Sequence, residues 1–203
     1  MKEENKHMAF TDNFGNPKGL LGRLMLVSMD KEHLPMAEWG FTQFTIPESA
    51  DIIDIGCGGG YNIKRMLNRC RQGRIVGFDI SDESVRKAQK VNRGEKRVEI
   101  IQGSVEKMPF EDHQFDLATA FETVFFWPDA AENMKEVYRI LKKTGQFAIV
   151  NNYGDPGIDW EKKIPCMTRY TAEEIAGFMQ KAGFADVQVS HKENLFCVVG
   201  KKV

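Results

Sequence analysis

Two aspartates and a run of glycines stand at spacings that could hold a ligand. In Asp54-Ile55-Gly56-Cys57-Gly58-Gly59-Gly60 the glycines end an apolar run, DIIDI over Asp51–Ile55, and precede a segment of helical periodicity. A turn this tight selects glycine, because a positive φ or the close approach of a ligand leaves no room for a Cβ. A second acid, Asp79, closes the next apolar run, RIVGFDI over Arg74–Ile80, about twenty residues past the glycines. A carboxylate there can accept both hydroxyls of an adenosine ribose.

Cofactors of more than one kind carry such a ribose. A dinucleotide brings a pyrophosphate to the glycine loop, and Asp54, two residues before the first glycine, would repel it. S-adenosylmethionine (SAM) brings a sulfonium and an ammonium, which a carboxylate facing the ligand attracts. The spacing is also GxGxG, with Tyr61 where a dinucleotide fingerprint would want its third glycine. Charge and spacing favour SAM. A third segment, Gly103-Ser104-Val105-Glu106-Lys107-Met108-Pro109-Phe110, follows another apolar run and can cover an adenine edge. Within it, Pro109 and Phe110 read as a turn that packs into the core.

The elements that must position these groups alternate between strand and helix patterns. Strands are expected over Asp51–Ile55, Arg74–Ile80, Arg97–Gln102, Phe115–Phe121, Gln146–Asn151, Asp186–Ser190 and Phe196–Gly200. Helices are expected over Tyr61–Cys70, from Ser81 as N-cap, over Ala130–Lys142, and from Thr171 through Ala182. Glu174 sits three residues after Thr171, a capping-box spacing. Strands separated by helices predict an α/β, Rossmann-like, seven-stranded and mostly parallel sheet with helices on both faces. The last two strands have only a short polar link, so the last strand should run antiparallel. Before Ala50, two helical patterns, Gly19–Ser28 and about Pro35–Phe44, predict an N-terminal helical cap. The chain thus divides into a cap over residues 1–49 and a cofactor-binding domain over 50–203.

Composition narrows the function. With 203 residues and a formal net charge of −1, the chain has no global basic field for nucleic acid. The basic stretch Arg65–Arg74 reads as a solvated helix face. No apolar run approaches the roughly 20 residues that span a bilayer, and the start has no signal-peptide core. Cys57, Cys70, Cys166 and Cys197 form no CxxC pair, and no clustered metal-ligand set appears. Unpaired thiols suit a reducing compartment, so a cytoplasmic protein that needs no metal is expected.

The order DIIDIGCGGG, GFDIS, GSVEKMPF, FDLATAF and LKKTGQFAIVN resembles the class I SAM-dependent methyltransferases. The likeness is strongest to the small-molecule branch that includes quinone-biosynthesis C-methyltransferases, and it spans roughly Ala50–Val203. It implies that Gly56, Cys57, Gly58 and Gly60 pass under the methionine part of SAM. It also implies that Asp79 holds the ribose, Ile80 packs on the adenine, Ser104 and Val105 meet the adenine edge, and Phe121 offers its carbonyl to the ammonium. Ser104 stands where that family often has Asp. The N-terminal stretch NPKGLLGRLML…HLPMAEWG also resembles small bacterial proteins described only as methyltransferases.

Methyl transfer from a sulfonium is a displacement in which the protein mainly positions the acceptor. Glu122, His33 and Tyr153 are candidates to line an acceptor pocket, with a packing or surface role as the alternative for each. His7, His113 and His191 lie in polar surroundings and read as solvated, and Trp127 reads as core or pocket wall. The expected acceptor is a small molecule. No Asn/Asp-Pro-Pro-aromatic motif follows the fourth strand, which argues against nucleobase amines. A SAM-binding sensor or assembly protein that does not turn over would carry the same cofactor motifs, and a nicotinamide oxidoreductase is a more distant alternative.

Overall fold

A computed structural model describes Gly19 and residues 32–203. The helical pattern over Gly19–Ser28, apart from Gly19 itself, and His7 lie outside the described residues. Residues 32–40 form helix α1. There follow β1 (Ile52–Ile55), α2 (Tyr61–Leu67), β2 (Ile75–Asp79), α3 (Asp82–Val91), β3 (Val98–Gln102) and β4 (Phe115–Phe121). A 3₁₀ turn (Val124–Phe126) leads to α4 (Ala130–Ile140), β5 (Leu141–Asn152), the short α5 (Trp160–Lys163), α6 (Ala172–Lys181), β6 (Ala185–Lys192) and β7 (Leu195–Lys201).

The seven strands make one sheet in the order β3-β2-β1-β4-β5-β7-β6. β1 to β5 pair in parallel, while β7 lies between β5 and β6 and runs antiparallel to both. The strand order reverses at β1, and in open α/β sheets ligands bind beyond the carboxyl ends of the strands at such a point. The apolar runs read as buried strands because both faces are covered. Ile53, Ile55, Phe147 and Ile149 face a core shared with Met134 and Val137 of α4 and Ile175 and Met179 of α6. Ile52, Leu117 and Val150 face a second core closed by Met36 and Ala37 of α1 and by Ile63 and Met66 of α2.

Local chemistry sets the helix ends. Ser81 caps α3 by accepting the Ser84 N–H at 3.3 Å, with Asp82 and Glu83 in the first turn, where the helix dipole favours negative charge. Thr171 and Glu174 make the reciprocal capping box of α6. Several boundaries differ from the sequence pattern, among them the end of α2 at Leu67 and the start of β5 at Leu141, and two of them bear on the packing. α4 stops at Ile140 rather than running to Lys142, because Leu141 is extended and pairs with Phe115 in the sheet. The buried Lys202 ammonium donates to the Tyr138 carbonyl at 2.6 Å and to that of Arg139 at 3.2 Å, supplying partners that the helix end lacks. α1 ends at Gly40 instead of Phe44, with Phe41 closing the last turn onto the Ala37 carbonyl. A Cβ at Gly40 would lie 2.7 Å from Val150, so glycine lets the helix end rest on the sheet.

Candidate active site

A single continuous cavity opens at the carboxyl ends of β1, β2 and β4. Its floor is the turn after β1. The Gly56 and Cys57 N–H groups both donate to the Phe78 carbonyl, at 2.7 and 3.1 Å, which binds the loop to β2. Gly56 has φ +75°, and a Cβ there would meet Thr123 at 2.3 Å. Gly60 has φ +76°, and a Cβ there would press on Asn92 and Ala88 of α3. At these two positions glycine is demanded by backbone conformation and by the packing of neighbouring elements, before any ligand is considered.

Asp79 ties this loop to the end of β2. One carboxylate oxygen accepts the Gly58 N–H at 2.8 Å, and the other accepts the Ser81 N–H at 2.8 Å. Burial raises its pKa, and these backbone donors, with Ser84, act against that rise. Beside it, Ile80 turns an apolar side chain into the cavity and is 49% exposed, one of three large hydrophobic side chains so exposed among the described residues. Ser104 and the buried Val105 line the same end. The Ser104 hydroxyl donates to Glu106 at 2.9 Å. Phe110 leaves the cavity and packs edge-on against Phe78 and Phe115, as its reading as a core turn requires.

Asp54 is not on the cavity wall. It faces the α2 side of the sheet, and its carboxylate accepts the Thr119 hydroxyl at 2.7 Å. Burial, and secondarily the charge of Asp79, push its carboxyl up to about 7. The direct attraction between Asp54 and a cationic ligand, expected from the sequence, is therefore not built here. Its carboxyl lies beneath the loop because successive residues of β1 alternate faces, and Asp54 shares the face of Ile52.

The other half of the cavity is formed by His33 and Met36 of α1, by Glu122 and Thr123 after β4, and by Phe126, Trp127 and Pro128, with Phe121 at the end of β4 between the two halves. Trp127 is both core and wall, stacked at 6.2 Å on Phe147. Glu122 has φ +58°, and its carboxylate accepts the Asn152 N–H. Burial pushes its carboxyl up to about 8. Tyr153, the third candidate for this pocket, is elsewhere. Its hydroxyl accepts the Ala172 N–H at 3.0 Å and its ring packs 4.5 Å from Phe196. β5 runs on to Asn152, so Tyr153 falls against α6 and β7 instead of the cavity.

Sequence reasoning missed Arg65. The stretch Arg65–Arg74 does not read correctly as one solvated face, because Arg65 lines the cavity and lies 3.7 Å from Glu38 of α1. Arg69 pairs with the same Glu38 at 3.1 Å and lies over the Phe41 ring. A signal was present: Arg65 is four residues after Tyr61 and so shares its face of α2. His113 and His191 are surface residues. His113 Nδ1 lies 3.2 Å from the Leu141 carbonyl oxygen, and His191 lies 3.5 Å from Glu173. No group of three or more His, Cys, Asp or Glu side chains that could hold a metal occurs among the described residues. None of the described helices is long and apolar enough to cross a membrane.

A parallel sheet reversing at β1, a glycine turn and an acid closing β2 define an α/β enzyme built around an adenosine-type cofactor. Comparison with known proteins makes this specific. Residues 53–149 match a methyltransferase domain family. A Bacillus subtilis (strain 168) protein, the uncharacterized methyltransferase YdaC, is 27% identical over 178 residues, covering 86% of this chain and 95% of its own. A demethylmenaquinone methyltransferase of Listeria welshimeri is 24% identical over 188 residues, 89% of this chain and 76% of its own. A SAM-dependent methyltransferase of Aquifex aeolicus has the same fold, with TM-score 0.74 and 20% identity over 89% of this chain and 98% of its own. With a methyltransferase domain over residues 53–149 and methyltransferase relatives along most of the chain, the protein is a SAM-dependent methyltransferase, similar to those of class I, and SAM is its cofactor.

Proposed function

We propose that this methyltransferase acts on a small, partly apolar acceptor, with cofactor and acceptor meeting in the one cavity. The observation that carries the reading is the continuity of that cavity. A half lined by the glycine loop, Asp79, Ile80 and Ser104 opens into a half lined by His33, Met36, Phe126 and Trp127. SAM fits the first half by its chemistry. Ile80 offers an exposed apolar surface to a purine, and Asp79 keeps lone pairs for ribose hydroxyls beyond those used by Gly58 and Ser81. Gly56, Cys57, Gly58 and Gly60 would lie along the methionine part, Val105 at the adenine edge, and the end of β4 at Phe121 by the ammonium. Asp54 would act from below, by holding the loop through Thr119. SAM supplies the methyl group when bound, and the residues of the second half hold the acceptor and keep water out.

The aromatic and methionine walls favour a planar or flexible apolar molecule over a polymer. The Listeria relative, named for demethylmenaquinone, supports the same class. The N-terminal residues 1–49 would govern entry, since α1 brings His33 and Met36 to the cavity. With Cys57, Cys70, Cys166 and Cys197 all free, the cytoplasm is the compartment we assign. The test is transfer from methyl-labelled SAM to a panel of hydroquinones, phenols, amines, RNA and protein. Label passing to the small aromatic acceptors is expected. Label passing only to RNA or protein would overturn the reading, and SAM binding without transfer to any of them would favour a sensor.

A further inference from the structure

We propose that Glu122 is the proton acceptor of the methyl transfer, so that the acceptor is a nucleophile carrying a proton at neutral pH, such as a phenol, a hydroquinone or an ammonium-forming amine. The proposal rests on the cavity being the site of cofactor and acceptor. Position comes first. β4 lies between β1, which carries the glycine loop, and β5. Glu122 follows β4, and its carboxylate accepts the N–H of Asn152 at the end of β5. The residue thus lines the cavity while its carboxylate is anchored on the side of β4 away from the glycine loop.

Conformation is the second support. Glu122 is held at φ +58° by its own N–H, which donates to the Val150 carbonyl at 3.0 Å. A residue with a Cβ is strained in the left-handed region, and such strain gathers at functional sites. Glycine would relieve it, yet an acid stands there.

Charge is the third. Among the described residues no Lys or Arg forms a salt bridge with Glu122, and its single hydrogen-bond donor is the Asn152 N–H. Other titratable groups around the cavity are His33 on α1, Tyr61 and Arg65 on α2, Cys57 in the loop and Asp79 on β2, with Asp54 below. Burial without a countercharge pushes the Glu122 carboxyl up to about 8, against the Asn152 N–H, which lowers it. A sulfonium and an ammonium in the neighbouring half would favour its carboxylate. The step then balances. The nucleophile's electron pair forms the bond to the methyl carbon, the carbon–sulfur pair stays on sulfur, and the acceptor's proton ends on Glu122. One positive and one negative charge disappear together.

The test needs no acceptor. Calorimetric titration of SAM and of S-adenosylhomocysteine at pH 7, each in two buffers of different ionisation enthalpy, counts the protons released. SAM should release more than S-adenosylhomocysteine, by up to about one proton, because a carboxyl that titrates near 8 starts protonated. Glu122→Gln should abolish that difference while keeping S-adenosylhomocysteine affinity, and Glu122→Asp should retain it. Equal counts for the two ligands in the unaltered chain, or an undiminished difference in Glu122→Gln, would overturn the proposal. Should the Gln variant not fold, the Glu122 carboxyl ¹³C shift reads the same event, and a protonated carboxyl in both complexes is the overturning result. If the unaltered chain bound neither ligand, the cofactor site itself would fall, and this proposal with it.

Discussion

The Thr119 hydroxyl donates to Asp54 at 2.7 Å, joining the middle of β4 to the middle of β1 under the glycine loop. The Asp54 carboxyl, moved from its ordinary 3.8 up to about 7, is the more costly to ionise for being buried. Between those values the folded chain holds a proton that the unfolded chain has lost. Stability attributable to Asp54 is thus highest in acid and falls as pH rises through this window. Asp54→Asn keeps an acceptor for Thr119 and removes the titration. Its melting temperature relative to the unaltered chain should climb from pH 5 to pH 8, by an amount worth on the order of a few kcal/mol at most. A difference that is flat across this range would show that Asp54 does not titrate there.

Asp79→Ala should weaken SAM binding about ten- to a hundredfold, a loss of roughly 1.5–3 kcal/mol for charge-assisted hydrogen bonds. It should also loosen the loop, since the Gly58 and Ser81 N–H groups lose their acceptor. Calorimetry and a thermal melt on one preparation separate the two effects. An unchanged dissociation constant would remove Asp79 from the site.

SAM and S-adenosylhomocysteine should raise the melting temperature, and NADH should not. The cavity carries the Asp79 carboxyl beside the glycine turn, and a pyrophosphate there would meet it unfavourably. A thermal shift with NADH alone would contradict this.

Legibility in the sequence followed periodicity. The sheet was readable because its parallel strands are buried on both faces and therefore appear as unbroken apolar runs, as in DIIDI and FDLATAF. The glycine turn and Asp79 were readable because few residue types tolerate those positions. What escaped depends on side-chain direction at the ends of elements. Asp54 needed the strand's alternation to be counted from a known face. Tyr153 needed the true end of β5, two polar residues beyond its apolar pattern. Arg65 shares a helix face with Tyr61, but that this face borders the cavity and meets Glu38 depends on the placement of α1, which no local pattern gives.

Hydrogen exchange should show α1 responding to ligand at its cavity end. Met36 and Ala37 are already buried against the second core, while His33 and Met36 face the cavity. Added protection over residues 32–37 with S-adenosylhomocysteine is expected, read by mass spectrometry. A segment equally protected with and without ligand would make α1 a fixed wall and remove its role in entry.

Methyl transfer should survive a chelator such as EDTA without loss, since the chemistry assigned to Glu122 and the cavity walls requires no Lewis acid. Lost activity restored by magnesium or zinc would contradict this.

The place of β7 bears on how the molecule assembles. Among the described residues, β5, the far strand of the parallel set, finds its outer partner only in Leu195–Lys201, and β6 pairs with no strand but that one. Until that segment is in hand, β5 exposes an unpaired, largely apolar edge and β6 has nothing to join, a template for pairing with other chains. The same stretch delivers Lys202 to the end of α4. A chain halted before Leu195 would therefore hold the cofactor-site residues and still be prone to aggregate.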